Sequence, residues 1–179
     1  MKRIMHYSLL FLVVITLFSS CTPKKLTQED IAKEKKAVES VAINYSKLVA
    51  AKNTDAVLSL FSNSPEFMLI GTDSAEVFKN KAQLKSPLEA DWQFADVTKV
   101  GDLQNVSILM SKDGELASIL YEVPLDSILA GQTTHALFRY AMTMVKEDKD
   151  WHIIQLLCQM ATVGQSSEDM LEQMKKVKK

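Results

Sequence analysis

The stretch FRYAMTMVKEDKDWHIIQ, residues 138–155, reads as two strands folded back on one another around the polar run EDKD, residues 147–150. Alternation of apolar and other side chains on both sides of that run marks strands with one buried face. Phe138, Tyr140, Met142 and Met144 share a face of the first strand, and Ile154, Leu156, Cys158 and Met160 share a face of the second. Both sets are almost wholly apolar, so they are expected to face the rest of the core. The opposite faces are mixed: His135, Leu137, Arg139, Ala141 and Thr143 stand on one strand, with Ile153, Gln155, Leu157 and Gln159 on the other. A half-apolar outer face of this kind suits either a surface on which two copies pair or an ordinary solvated face.

Outward from this hairpin, the same patterning gives four strand-like segments, 94–111, 115–124, 133–146 and 151–163. KDGE, residues 112–115, joins the first two, because Asp-Gly suits left-handed turn positions. DSILAGQT, residues 126–133, is expected to form a looser connection. Upstream, residues 27–53 place Val38, Val41, Ala42, Tyr45, Leu48 and Val49 at three- and four-residue steps. That is the stripe of a long helix with Thr27 as its cap. A second helix carries Val57, Leu60 and Phe61 inward and stops before Ser64-Pro65, since proline disfavours helix at the residue before it. EFMLIG, residues 66–71, reads as a short buried strand. Asp73 or Thr72 followed by Glu76 fits the reciprocal cap of a helix start, and Ser86-Pro87-Leu88-Glu89 repeats the signal. One or two short helices, broken near Ser86, are therefore expected from Glu76 to about Asp91, with Asp73 and Glu76 shaping the corner and doing no chemistry. Ser166 to Asp169 starts a last short helix carrying Met170, Leu171, Met174 and Val177. The plan is α+β, with helices packed on one face of a strongly bent sheet.

Composition narrows the function. The chain has 179 residues, with 21 Lys and Arg against 22 Asp and Glu, and no basic stripe with interleaved aromatics, so nucleic acid is not an expected partner. Met1-Lys2-Arg3, an apolar run from about Tyr7 to Phe18 and SSC ending at Cys21 have the three parts of an export signal. The run is about a dozen residues, short of the roughly 20 that span a bilayer. LFSSC, residues 17–21, resembles the lipobox of bacterial lipoprotein precursors, which implies lipidation of Cys21, a cell-envelope location and a membrane anchor. Residues 1–20 are then the signal peptide, 21–28 the lipidated cysteine and tether, 29–164 one domain and 165–179 a helical tail. With Cys21 lipidated, Cys158 has no partner for an intrachain disulfide, and its apolar surroundings make it a small core residue.

The motifs LIGTDSAEVF, residues 69–78, and the closing hairpin with Arg139, the charged turn and Trp151 resemble the SnoaL-like domains of the nuclear transport factor 2-like superfamily. The resemblance covers about Ala32 to Val163. It implies a cone-shaped fold whose curved, mostly antiparallel sheet closes on a cavity beneath the helices, and sheets that pair into homodimers. Many relatives carry histidines and a serine after the tryptophan; here Gln155, Leu157 and Gln159 stand there, so no role tied to those histidines is carried over.

A cavity on the apolar side would be lined by Met68, Tyr140, Met142, Cys158 and Met160, with Tyr45 and Phe61 from the helices and Trp92 at the mouth. Adaptable methionines and a few oriented hydroxyls suit a small, mainly apolar ligand. The first reading is a non-catalytic envelope lipoprotein binding such a ligand. The alternative is an enzyme doing proton transfer on a ketone-like substrate, as the superfamily's ketosteroid isomerases and polyketide cyclases do. It would draw on Asp96 or Glu122 as base and Tyr140 or Tyr121 as donor. A third reading is a protein-interaction module with a filled core. No cofactor and no metal are expected: His135 and His152 have no ligand spacing, and neither a nucleophile elbow nor a phosphate-binding glycine loop is present.

Overall fold

A computed structural model describes residues 26–162 and 165–177. The expected signal peptide, Cys21 and most of the tether therefore lie outside the described residues, as does Val163. Helix α1 (Gln28–Ala50) is followed by α2 (Thr54–Ser59), strand β1 (Met68–Ile70), strand β2 (Val77–Phe78), a 3-10 turn (Lys81–Leu84) and α3 (Lys85–Phe94). Then come β3 (Ala95–Val100), β4 (Gln104–Met110), β5 (Leu116–Leu129), β6 (Gln132–Glu147), β7 (Asp150–Met160) and α4 (Ser167–Val177). The strands form one sheet in the order β2-β1-β7-β6-β5-β3, with β4 also on β5. Only the β1–β7 pairing is parallel among the named strands.

Helix α1 begins at the expected cap. The Thr27 hydroxyl accepts from the Asp30 amide at 3.1 Å, and Asp30 accepts from the Thr27 amide at 3.0 Å, so two orphan amides of the first turn are satisfied. Its stripe faces the sheet: Val38 and Ala42 are fully buried and Tyr45 nearly so. The opposite end of the sheet grips it by charge. Glu34 accepts from the Trp151 indole at 2.9 Å and pairs with Lys146 at 2.6 Å, while the Lys146 ammonium sits 5.4 Å from the Trp151 ring centre.

Several local expectations change. Asp73 and Glu76 do make reciprocal bonds, but across a strand-to-strand turn. The Glu76 carboxylate accepts from the Asp73 amide at 3.0 Å, the Asp73 carbonyl accepts from the Glu76 amide at 3.0 Å, and the chain returns as β2. The carboxylate lies so close over Gly71 that a side chain there would overlap it. Ser86 caps nothing: the 3-10 turn runs straight into α3, and Asn80, accepting from the Gln83 amide at 3.2 Å, is the cap that starts it. Pro87 fits inside the first turn of α3 because the amide it lacks would be unpaired there anyway.

The segment 94–111 is two strands. Gly101 donates its amide to the Pro124 carbonyl at 2.9 Å, and a Cβ on Gly101 would come within 2.5 Å of the Pro124 ring. Pro124 has no amide to offer a neighbour, so the ladder on that edge of β5 breaks beside it. β3 pairs with the C-terminal half of β5 and β4 with its N-terminal half. DSILAGQT is mostly strand: β5 runs to Leu129, and Ala130-Gly131, with φ of 49° and 80°, form a two-residue turn into β6. Asp148-Lys149, with φ of 50° and 81°, turn the closing hairpin in the same way.

The face assignment of β7 also changes. Its register with β6 shifts between Thr143 and Met144, so that Thr143 opposes Gln155 and Met144 opposes Ile153. Ile154 is the extra residue of a bulge, and the alternation reverses across it. Trp151 and Ile153 point inward with Met144, while Leu156 and Cys158 hold the inner face beyond the bulge. Ile153 is thus fully buried, against the expectation of an outer position. It also exchanges backbone bonds with Leu60 and Ser62, which seats the chain after α2 beside β7.

Candidate functional site

The inner face of the sheet carries an aromatic cluster under α1. The Tyr45 ring stands edge-on to Phe61, with centres 6.0 Å apart, and to Tyr140, at 5.8 Å. Tyr140 is stacked on Tyr121 at 5.1 Å and on Phe138 at 6.3 Å. Cys158 lies directly across the β6–β7 ladder from Tyr140. Phe61, Tyr121 and Met142 are buried, whereas Tyr140, Phe138 and Cys158 stay half-buried, which leaves one wall of the cluster open.

Burial sets the ionisation of this wall. It pushes the Tyr45, Tyr121 and Tyr140 phenols well above their ordinary value and the Cys158 thiol up to about 11. All four are neutral at physiological pH and act as O–H or S–H donors. The Tyr121 hydroxyl donates to the Met142 sulfur at 3.9 Å, a weak acceptor, and shares a side-chain hydrogen bond with Ser46, while Tyr140 and Cys158 bond to one another. Two carboxylates bear on these ionisations. Asp91, on α3, is raised first by burial and then by the charge of Glu76, and its own charge adds to the rise of Tyr45. The Glu76 charge likewise adds to the rise of Cys158. The site is therefore an apolar, aromatic surface with neutral donors on its floor and negative charge beside it.

Of the residues expected to line a cavity, Tyr45, Phe61, Tyr140, Met142 and Cys158 come together. Met68 does not: it pairs with Gln155 in the parallel ladder, while its neighbour Leu69 pairs with the inward Leu156, so Met68 and Ile70 stand on the outer face. Met160 ends β7 opposite Phe138 and is 55% exposed, at the edge of the cluster. Trp92 is half-buried on α3, and its backbone carbonyl accepts from Lys52 at 2.6 Å. The carboxylates weighed as bases are elsewhere. Asp96 is exposed and paired with Lys52. Glu122 projects from the face opposite Tyr121 and is held below the usual carboxylate range by Arg139, 2.7 Å away, and then by Asn105. The acids whose charge reaches the cluster are Asp91 and Glu76. Among the described residues no group of three or more histidine, cysteine or acidic side chains is placed to hold a metal.

The outer face carries a second feature. Met68, Ile70, Ala141 and Leu157 border a shallow depression of about 230 Å³. Leu109 and Leu120 extend exposed apolar surface beyond it, at 72% and 51% exposure. No helix of the described residues is long and apolar enough to cross a membrane.

Residues 38–158 match the family described as the SnoaL-like domain. Solved structures share the fold at low identity. A ketosteroid isomerase-like protein from Erwinia carotovora atroseptica is 13% identical, with a TM-score of 0.60 over 71% of this chain and 95% of its own. A candidate scytalone dehydratase from Novosphingobium aromaticivorans is 15% identical, with a TM-score of 0.64 over 76% and 89%. An NTF2-like protein from Cytophaga hutchinsonii is 12% identical, with a TM-score of 0.57 over 76% and 100%. These likenesses establish the nuclear transport factor 2-like fold. No protein of curated function matches the chain significantly.

Proposed function

The chain belongs to the SnoaL-like domain family, and from that premise we propose that it is a non-catalytic lipoprotein of the bacterial cell envelope, binding a small, mainly apolar, uncharged ligand against the aromatic wall under α1. The observation that carries this reading is the open side of the Tyr45–Tyr140–Tyr121 cluster. Stacked rings offer apolar area, and the phenols and thiol offer neutral donors to one or two acceptor atoms. Glu76 and Asp91 disfavour an anion there. The lipid anchor at Cys21 rests on the sequence, as does the envelope location. The exposed apolar outer face supports pairing of two copies through their sheets.

The test is native mass spectrometry of the full chain, released from detergent micelles after purification from the organism that makes it, before and after denaturation. The reading expects a small molecule that is lost on denaturation and absent from the Tyr140→Ala protein. A bare wild-type protein would overturn it. Cys21→Ala should move the protein from the membrane to the soluble fraction; a variant that stays membrane-bound would refute the anchor.

One observation favours a second reading, proton transfer on a ketone-like substrate: Asp91, exposed on α3, is a carboxylate of raised pKa whose charge reaches the Tyr45 phenol. The ketosteroid isomerase-like structural neighbour is consistent with that chemistry in this fold. Asp91 would take a proton next to the carbonyl and Tyr45 would donate to the developing oxyanion. Deuterium exchange of such protons in cyclic ketones, followed by NMR and abolished in Asp91→Asn, would establish it; no exchange above the buffer rate would remove it.

A further inference from the structure

We propose that the Tyr45 hydroxyl selects the ligand by donating a hydrogen bond to one neutral acceptor oxygen, of the carbonyl or ether kind, at the end of an otherwise apolar molecule. This rests on the ligand-binding reading above and narrows its ligand to one chemical class. The other donors on the aromatic wall are engaged. The Tyr121 hydroxyl is shared between the Met142 sulfur and Ser46. Ser46 in turn donates to the Ala42 carbonyl at 3.4 Å, within α1. Tyr140 and Cys158, opposite one another on the β6–β7 ladder, bond to each other. Among the described residues, the Tyr45 hydroxyl is the one donor of this wall without a hydrogen-bond partner.

Tyr45 is also held in place. It is 9% exposed, and its ring stands edge-on to Phe61 and Tyr140, with centres 6.0 Å and 5.8 Å away. After burial, Cys158 and Asp91 are the groups that bear on its ionisation, so its oxygen end lies toward Cys158, on the half-buried side of the cluster. That oxygen is not sealed in, because His152 Nδ1 is the one side-chain nitrogen or oxygen among the described residues that is both buried and unpartnered. A donor fixed among rings and opening onto a gap discriminates between ligands. A molecule that brings an acceptor satisfies it, whereas a hydrocarbon of the same shape displaces water and strands it. Sites built around such a donor reject the analogue that lacks the acceptor. An anionic acceptor would meet the charge of Asp91, which already reaches this phenol. One free donor calls for one acceptor, and the rings supply the rest of the contact as apolar surface.

The experiment titrates the full chain in detergent micelles with three probes of matched shape, 2-acetylnaphthalene, 2-ethylnaphthalene and 2-naphthoate, each corrected for uptake by protein-free micelles. The wild type should bind the ketone about tenfold more tightly than the hydrocarbon or the carboxylate. Tyr45→Phe keeps the ring and removes only the hydroxyl; it should reduce the preference for ketone over hydrocarbon to about twofold or less and leave hydrocarbon affinity unchanged. Infrared difference spectra of the wild type add a readout that needs no variant: the carbonyl stretch of the bound ketone should lie below its position in micelles alone. An unshifted stretch overturns the inference. So does a preference that survives in Tyr45→Phe and is lost in Tyr140→Phe, or naphthoate binding as tight as that of the ketone. Equal binding of ketone and hydrocarbon to the wild type overturns it and leaves apolar binding standing. A wild type that binds none of the three probes overturns both.

Discussion

Glu34→Ala should destabilise the domain by about 2 kcal/mol, because one carboxylate joins α1 to the far end of the closing hairpin. Its two partners, the Trp151 indole at 2.9 Å and the Lys146 ammonium at 2.6 Å, lie more than a hundred positions along the chain. A hydrogen bond to a charged group is worth about 1.5–3 kcal/mol, and the Lys146–Trp151 contact adds about 0.5 kcal/mol where it is partly wet. The Glu34 and Lys146 side chains retain 21% and 18% of their surface in water, so screening discounts the ionic share toward about 1 kcal/mol. Removal of the carboxylate also strands the indole N–H of Trp151, which is 5% exposed, and that loss is not screened. Glu34→Gln keeps an acceptor for Trp151 and should cost about half as much. The sign of the pH dependence comes from Glu34 being held below its ordinary value, chiefly by the bond from Lys146. Its contribution is fully present above the unfolded carboxyl pKa and is lost as pH falls through the lower folded value. Urea unfolding followed by far-ultraviolet circular dichroism should therefore separate wild type from Glu34→Gln at pH 7 and bring them together as pH falls below the ordinary carboxyl range. Equal costs for Glu34→Ala and the exposed-site control Asn44→Ala, or a gap that does not close in acid, would refute the clamp.

Ala130→Gly should raise stability by about 0.5–1 kcal/mol, since Ala130 holds φ at 49° in the β5–β6 turn and glycine adopts that conformation without strain; no gain in thermal unfolding would count against the turn geometry. Gly101→Ala should lower it by about 1–3 kcal/mol, because the new methyl meets the Pro124 ring at 2.5 Å where β5 changes partner, and a neutral result would show that the junction can yield. Cys158, with its thiol pushed up to about 11 from 9.0, should be alkylated by iodoacetamide at pH 8 on the order of a hundredfold more slowly than an ordinary thiol; peptide mapping that finds the ordinary rate would mean the site is wetter than its burial implies.

What the sequence made legible is what neighbouring residues decide among themselves. The α1 stripe, its Thr27 cap and the EDKD turn depend on spacings of two to four residues, and each stands where periodicity put it. The Asp73–Glu76 signature shows the limit of that locality. Reciprocal bonds between residues three apart close a helix start and a hairpin corner alike, and the choice belongs to the next segment of chain, here Val77–Phe78 pairing with β1. Met68 was misplaced for a related reason. A three-residue strand carries too little alternation to declare its face, and the deciding fact is its register with Gln155, some ninety residues away.

The candidate site was half legible because its two halves come from different physics. Tyr45, Tyr140, Met142 and Cys158 lie on long periodic elements, so their common orientation followed from counting. Asp91 and Glu76 act on it by charge from a short helix and a turn, whose positions depend on how β2 and the 3-10 turn redirect the chain. The Ile154 bulge joins the halves. Without it Ile153 would face out, the bonds to Leu60 and Ser62 would be lost, and the inner row of β7 would begin one residue out of step with Met144. Trp151 would then turn away from Glu34, and α1, which carries Tyr45, would lose its tie to the hairpin. The bulge therefore links the clamp at one end of α1 to the aromatic wall beneath it.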